Sequence, residues 1–365
     1  MSASLNGYDD LYAALCQDIS DFLPGVGRRL PDSFTGTFPG TDDASSTKEV
    51  ACILLARNLG KKLTDIVLPD AGDRCLLSFL ESDESCRAWA KDFALTIANP
   101  PPANPRVSLL GRLTANPAYQ GARARSDFEM LLRTKAALQR VLVRPTPLSL
   151  LKAHPDFDGS KPWSWENVFL CGDVGPGSAL EASGTSWYEK MYQSPLSYTS
   201  VELWREYQAS IPVDSLRALA ERQRDGHFGH LQVPGGKYSS VLKSLTTDRS
   251  IDIQPSVNML AQKGIACILQ AFVESHYGVN LSFQQMVNRE LARRGSISDH
   301  LATIDLSEAS NRIPWAWVEW VLEGTELLEL IRVARCTMIT MPWGETRALH
   351  MCSGMGNAFT FILMT

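Results

Sequence analysis

The sequence predicts an α+β protein, and three observations lead there. The first two thirds carry mostly helical spacing. The last third alternates strand, helix, hairpin, loop and helix. A chain of 365 residues with 44% hydrophobic content can bury a sizeable core spread over two or three domains.

The elements follow in order. Residues 8–22 place Leu11, Leu15, Ile19 and Phe22 on one helical face, and 47–67 repeat that spacing. Residues 31–46 read as loop. Four prolines in 99–105 mark the best linker. A helix is expected over 126–143, with Ser126 as cap, Glu129 at the capping-box position, and Pro145 and Pro147 beyond its end. The Gly/Ser-rich stretch 172–184 lacks the Gly-Lys-Ser/Thr ending of a phosphate-binding loop and reads as ordinary loop. Strands are expected at 239–245 and 249–253, and a helix over 255–277. A strand carrying Asp305 is expected at 301–306. Helices at 315–322 and 326–334 come next, then a hairpin, 338–341 with 346–351, around Pro342-Trp343-Gly344-Glu345.

Composition narrows the function. A net charge of −5 argues against binding nucleic acid by bulk charge. Residues 1–100 hold 9 basic and 15 acidic residues, whereas 101–150 hold 8 basic and 2 acidic. That basic segment is either a polyanion track or the solvated face of a helix pair. No apolar run approaches bilayer length, and residues 1–21 lack a signal-peptide pattern, so a cytoplasmic protein without a membrane partner is expected. The eight cysteines form no CxxC pair and repeat no zinc spacing, so they read as reduced, mostly buried thiols. His227 and His230 form an HxxH that reads as a polar turn before it reads as a metal pair.

Asp305 is the leading chemical candidate. A carboxylate at the end of a buried strand is costly unless a cation or donor meets it. Mg²⁺ held by one or two carboxylates and substrate phosphates is one partner, and a helix-cap role for Asp305 or Ser307 is the alternative.

Three stretches carry a resemblance. The segment LATIDLSEASN from Leu301 resembles the first catalytic motif of the replicases of single-stranded RNA bacteriophages, of the levivirus type. TDRSIDIQPSVNM from Thr247, followed by Gln262-Lys263-Gly264, resembles the segment that admits nucleotides. SGMGNAFTF from Ser353 resembles the second palm motif. The clear resemblance covers about 241–365.

The resemblance implies a right-hand RNA-directed RNA polymerase. It would have a helical N-terminal region at 1–100, fingers at 101–274, and an incomplete palm at 275–365. It also implies two Mg²⁺ ions, with Mn²⁺ as a substitute, held by Asp305 and the Leu306 carbonyl. Lys243 and Arg249 would face the triphosphate, while Ser353, Gly354 and Asn357 would hold template and ribose. Asn311 stands where the family usually has an aspartate, which weakens ribose selection, and Thr246 stands where a further base is common. RNA template, nucleoside triphosphates and host translation factors are the implied partners, in the cytoplasm of an infected bacterium. The family's Gly-Asp-Asp motif does not occur in these 365 residues, and Gly7-Tyr8-Asp9-Asp10 reads as the acidic start of a helix. On this reading the chain is a fragment and is inactive alone.

Two rivals stand beside it. A reverse transcriptase or DNA polymerase palm would carry a bulky steric gate where Ser310 and Asn311 stand. A non-catalytic RNA-binding protein on a polymerase-derived fold would bind through 106–144 and 237–263.

Overall fold

The computed structural model describes residues 17, 71–100, 117–213, 215–244, 247–298, 300–302 and 309–364. The expected helix at 8–22 apart from residue 17, the helix at 47–67, the loop at 31–46, and Asp305 with Leu306 lie outside the described residues. The described part is α+β and mostly helical. Contacts group it into two units, 1–80 with 240–250, and 81–239 with 251–365.

In the larger unit the helix α8 (Ser256–Tyr277) forms the spine. Its long apolar stretch includes Val257, Leu260, Ile265, Ile268 and Phe272, all buried. Around it pack α4 (Trp165–Leu170), α11 (Glu326–Ala334) and the short strand β1 (Leu196–Tyr198). Glycine sets the closest approach. A Cβ on Gly264 would stand 1.8 Å from the Val168 carbonyl oxygen, and one on Gly172 would meet Leu260 at 3.0 Å. By length and composition α8 can cross a membrane, contrary to the expectation that no apolar run approaches that length. Yet 72% of that window is buried inside the protein, because α8 is the core helix.

The ends of these helices follow from local sequence. Ser164, Ser200, Ser215 and Thr325 each accept a backbone N–H of the first turn that follows, and Ser186 with Glu189 completes a capping box. Gly278, left-handed at φ 69°, closes α8.

The sheet order is β4-β3-β5-β6. β3 (Gly236–Ser244) and β4 (Thr247–Ile253) fall where strands were expected. β3 pairs parallel with β5 (Met338–Thr340) through Gly236 and Lys237. β5 and β6 (Thr346–Ala348) form the expected antiparallel hairpin.

One helix start differs. The helix expected from Ser126 begins nine residues earlier, as α2 (Pro117–Leu142). Ser126 is therefore interior, and Glu129 pairs with Arg125 at 2.8 Å instead of closing a capping box. Proline at the first helical position needs no N–H there and takes over the start.

Candidate nucleotide site

The stretch from Gln254 to Gln262 looks polar in sequence, and the fold spends that polarity internally. Ser256 and Ser197 exchange hydrogen bonds between backbone N–H and hydroxyl, at 3.0 and 3.1 Å. Asn258 accepts the Thr199 N–H and donates to the Ala334 carbonyl at 3.0 Å. Gln262 donates to the same carbonyl and to the Gln254 side chain, both at 2.9 Å. All four side chains are buried. They stitch the start of α8 to β1 and to the end of α11.

Asp252, just before them on β4, is the junction. Its backbone N–H donates to the Met355 carbonyl at 2.7 Å. Gly356, at φ 129°, approaches so closely that a Cβ there would lie 2.4 Å from the Asp252 carbonyl oxygen. A side chain at that position would push the 353–357 loop off the strand. The Asp252 carboxyl is buried and takes a hydrogen bond from Gln254 on one oxygen; burial pushes its pKa up to about 7.

Asn311 lies in the segment that leads to the 350–352 strip. It sits in a 3-10 turn (Ala309–Arg312), buried, with its backbone carbonyl accepting the Cys86 thiol. The chain then runs antiparallel to 350–352: Cys352 N–H donates to the Ile313 carbonyl at 2.7 Å and Trp315 N–H to His350 at 2.8 Å. Arg335 fixes this strip from below. Its buried guanidinium donates to the carbonyls of Leu349, Met351 and Cys352 and lies 4.2 Å over the Trp315 ring. Asp83 fixes it from the side, accepting the N–H of His350 and Met351 at 2.7 and 3.0 Å.

The loop leaves this strip at Ser353. Ser353 and Gly354 are buried, and Ser353 hydrogen-bonds Thr360. The Asn357 side-chain oxygen Oδ1 caps the chain that follows, accepting the Phe359 N–H at 3.0 Å. Its amide nitrogen has no partner among the described residues.

Lys243 and Arg249 are exposed, on β3 and β4, in the stretch 240–250 that groups with the smaller unit. Leu301 and Ala302 are exposed and irregular. Thus the 353–357 loop docks on Asp252 through Met355 and Gly356, and the chain just after the turn holding Asn311 pairs with 350–352, while Asp305 and Leu306 lie outside the described residues. Sequence reading missed Asp252, Asp83 and Arg335. A buried charge between apolar neighbours, as in Ile-Asp252-Ile, was the available signal for the first. Nothing local marks the other two, whose partners are far along the chain.

The remaining candidates resolve into structure. His230 hydrogen-bonds Asp225 at 2.8 Å and stacks on Trp204, while His227 lies exposed in the last turn of its helix. The 172–184 loop is tied by buried Lys190, which donates to the Gly175 carbonyl at 2.7 Å, and by Leu180 N–H to Gln254. In the basic stretch, Lys135 pairs with Glu323 and lies over Trp320, a structural use of one charge.

Residues 214–365 match the family described as RNA replicase, beta-chain. The RNA-directed RNA polymerase subunit beta of Enterobacteria phage SP is 38% identical over 127 residues, which is 35% of this chain and 22% of that protein. The corresponding subunit of Escherichia virus Qbeta is 36% identical over 130 residues, 36% of this chain and 22% of that protein. The RNA-directed RNA polymerase beta chain of Escherichia phage MS2 is 35% identical over 144 residues, 40% of this chain and 26% of that protein. The matched stretch spans about a quarter of the length of these curated relatives.

Proposed function

We propose that the chain acts in RNA-directed RNA synthesis, on the match of residues 214–365 to the RNA replicase beta-chain family and to phage RNA-directed RNA polymerase beta subunits. The observation that carries this reading is the convergence of stretches distant in sequence. The end of β4 takes the 353–357 loop through Met355 and Gly356, and the chain just after the turn holding Asn311 pairs with the 350–352 strip that leads into that loop. These are the stretches that resemble the nucleotide-handling motifs.

The reaction is attack of a 3′-hydroxyl on the α-phosphate of a nucleoside triphosphate, with pyrophosphate leaving. Arg249 grips the triphosphate through two parallel N–H donors, and Lys243 adds a point charge; both are exposed and able to reach an anion. Asn357 is the candidate partner of a ribose hydroxyl. Asn311 contributes to reading the 2′-hydroxyl. Asp305 and the Leu306 carbonyl would hold Mg²⁺, whose chemistry is to align and neutralise the attacking and leaving oxygens. We assign the architecture to the right-hand polymerase class, with 101–274 as fingers and 275–365 as palm. RNA template and nucleoside triphosphates are the partners, inside an infected bacterium.

The test is Asp305→Ala in the protein that carries these residues. Template-directed ribonucleotide incorporation should disappear while RNA binding persists. Undiminished incorporation would leave the non-catalytic RNA-binding reading standing instead.

A further inference from the structure

Between α3 (Leu148–Ala153), α8 and the chain from Ala358 to Ile362 lies a cavity of about 630 Å³ that the polymerase reading does not use. Three soft donors stand on its wall. The Sγ atoms of Cys171 and Cys267 and a ring nitrogen of His154 all lie within 4.8 Å of one another. They come from three separate elements. His154 is the C-cap of α3, and Cys171 is the C-cap of α4. Cys267 sits in the middle of α8, one turn after Gly264. The glycine contacts of α4 with α8 bring the two sulfurs together: Gly264 backs onto Val168, and Gly172 onto Leu260. Cap hydrogen bonds hold the other two backbones, with His154 N–H on Leu150 and Cys171 N–H on Asn167.

We propose that His154, Cys171 and Cys267 form a Zn²⁺ site, with the fourth position open to the cavity and filled by water. Tetrahedral zinc takes sulfur at about 2.3 Å and imidazole nitrogen at about 2.0–2.1 Å, which puts its donors roughly 3.5–3.8 Å apart. Reaching that from the present spacing needs side-chain movements of about an ångström or less. Two thiolates and a neutral imidazole match a soft divalent ion and exclude Mg²⁺, which demands oxygen. Binding displaces two thiol protons to solvent and leaves the site without net charge. A disulfide would have no use for the imidazole, which lies within 4.8 Å of both sulfurs. The ion ties two helix ends to the spine helix. The same cavity is walled by Ala358, Phe361 and Ile362, directly after Asn357, so a filled site would also stiffen the platform under the loop. The proposal does not depend on polymerase activity.

The experiment uses the full 365-residue chain, untagged and reduced. Metal content is measured after gel filtration with Zn²⁺, and Co²⁺ is then substituted. One equivalent of zinc is expected, with thiolate-to-cobalt charge-transfer bands and tetrahedral visible bands in the Co²⁺ form. Cys171→Ser and Cys267→Ser should each abolish those bands, and Cys75→Ser should leave them intact. The wild-type chain should lose thermal stability when the ion is chelated. No bound zinc in the reduced wild type overturns the proposal, as does retention of the cobalt bands in Cys171→Ser with Cys267→Ser. So does a Cys171–Cys267 disulfide in place of metal.

Discussion

Asp252→Asn isolates the cost of enclosing a carboxyl where β4 meets the loop. The side chain is 2% exposed, one of its oxygens accepts from Gln254, and the other has no partner among the described residues. Burial raises its pKa from 3.8 to about 7. Below the unfolded value both states are protonated and burial costs nothing in titration. Between the two values the unfolded chain loses the proton and the folded chain keeps it, so stability falls as pH rises. Above about 7 the penalty is constant. At about 1.4 kcal/mol per unit, some three units give roughly 4 kcal/mol. Asparagine keeps the shape and an acceptor for Gln254 and has no proton to lose. The variant should therefore gain up to about 4 kcal/mol over wild type at about pH 8, and about half that or less at about pH 5. Urea unfolding at both pH values, read as the midpoint at constant slope, measures this. The Asp252 backbone N–H to Met355 remains, so the loop stays docked. A gain independent of pH, or a loss at the higher pH, would refute the reasoning.

Other perturbations test other joints. Gly356→Ala sets a Cβ against the Asp252 carbonyl at a φ of 129°, so the loop should detach at a cost of about 1–3 kcal/mol; nucleotide affinity should fall with it, as read by equilibrium titration. Gly264→Ala drives a methyl into the Val168 carbonyl between two buried helices. A loss of about 1–3 kcal/mol or more is expected in thermal unfolding, with no selective effect on nucleotide binding. Asn311→Asp restores the charge usual in the resembled family. It should keep or sharpen preference for ribonucleotides in competition with deoxynucleotides, and greater deoxynucleotide use would count against the assignment.

The sequence showed much of the last third because its signals are local. The β3/β4 strands, the α8 helix and the hairpin around Pro342-Trp343-Gly344-Glu345 each follow from periodicity and turn residues, and each lies within a few residues of its expected place. The start of α2 was misplaced because Ser126 and Glu129 mimic a capping box, whereas Pro117 begins the helix. The polar residues from Gln254 to Gln262 read as part of a nucleotide segment, yet their partners are Ser197, Thr199 and Ala334, which no local pattern links to them. The same holds for the His154, Cys171 and Cys267 cluster. Its spacings follow no metal motif because α4 and α8 meet through glycine contacts that only the fold reveals.

The central claim is that the stretches around β4 and the 353–357 loop handle nucleotide. Photo-crosslinking a reactive nucleoside triphosphate to the chain and mapping the adducts by mass spectrometry tests it most directly. Adducts should fall on peptides containing Lys243, Arg249 and residues 353–357, and unlabelled triphosphate should compete them away. Competed adducts confined to the basic stretch from Arg106 to Arg144 would contradict the account.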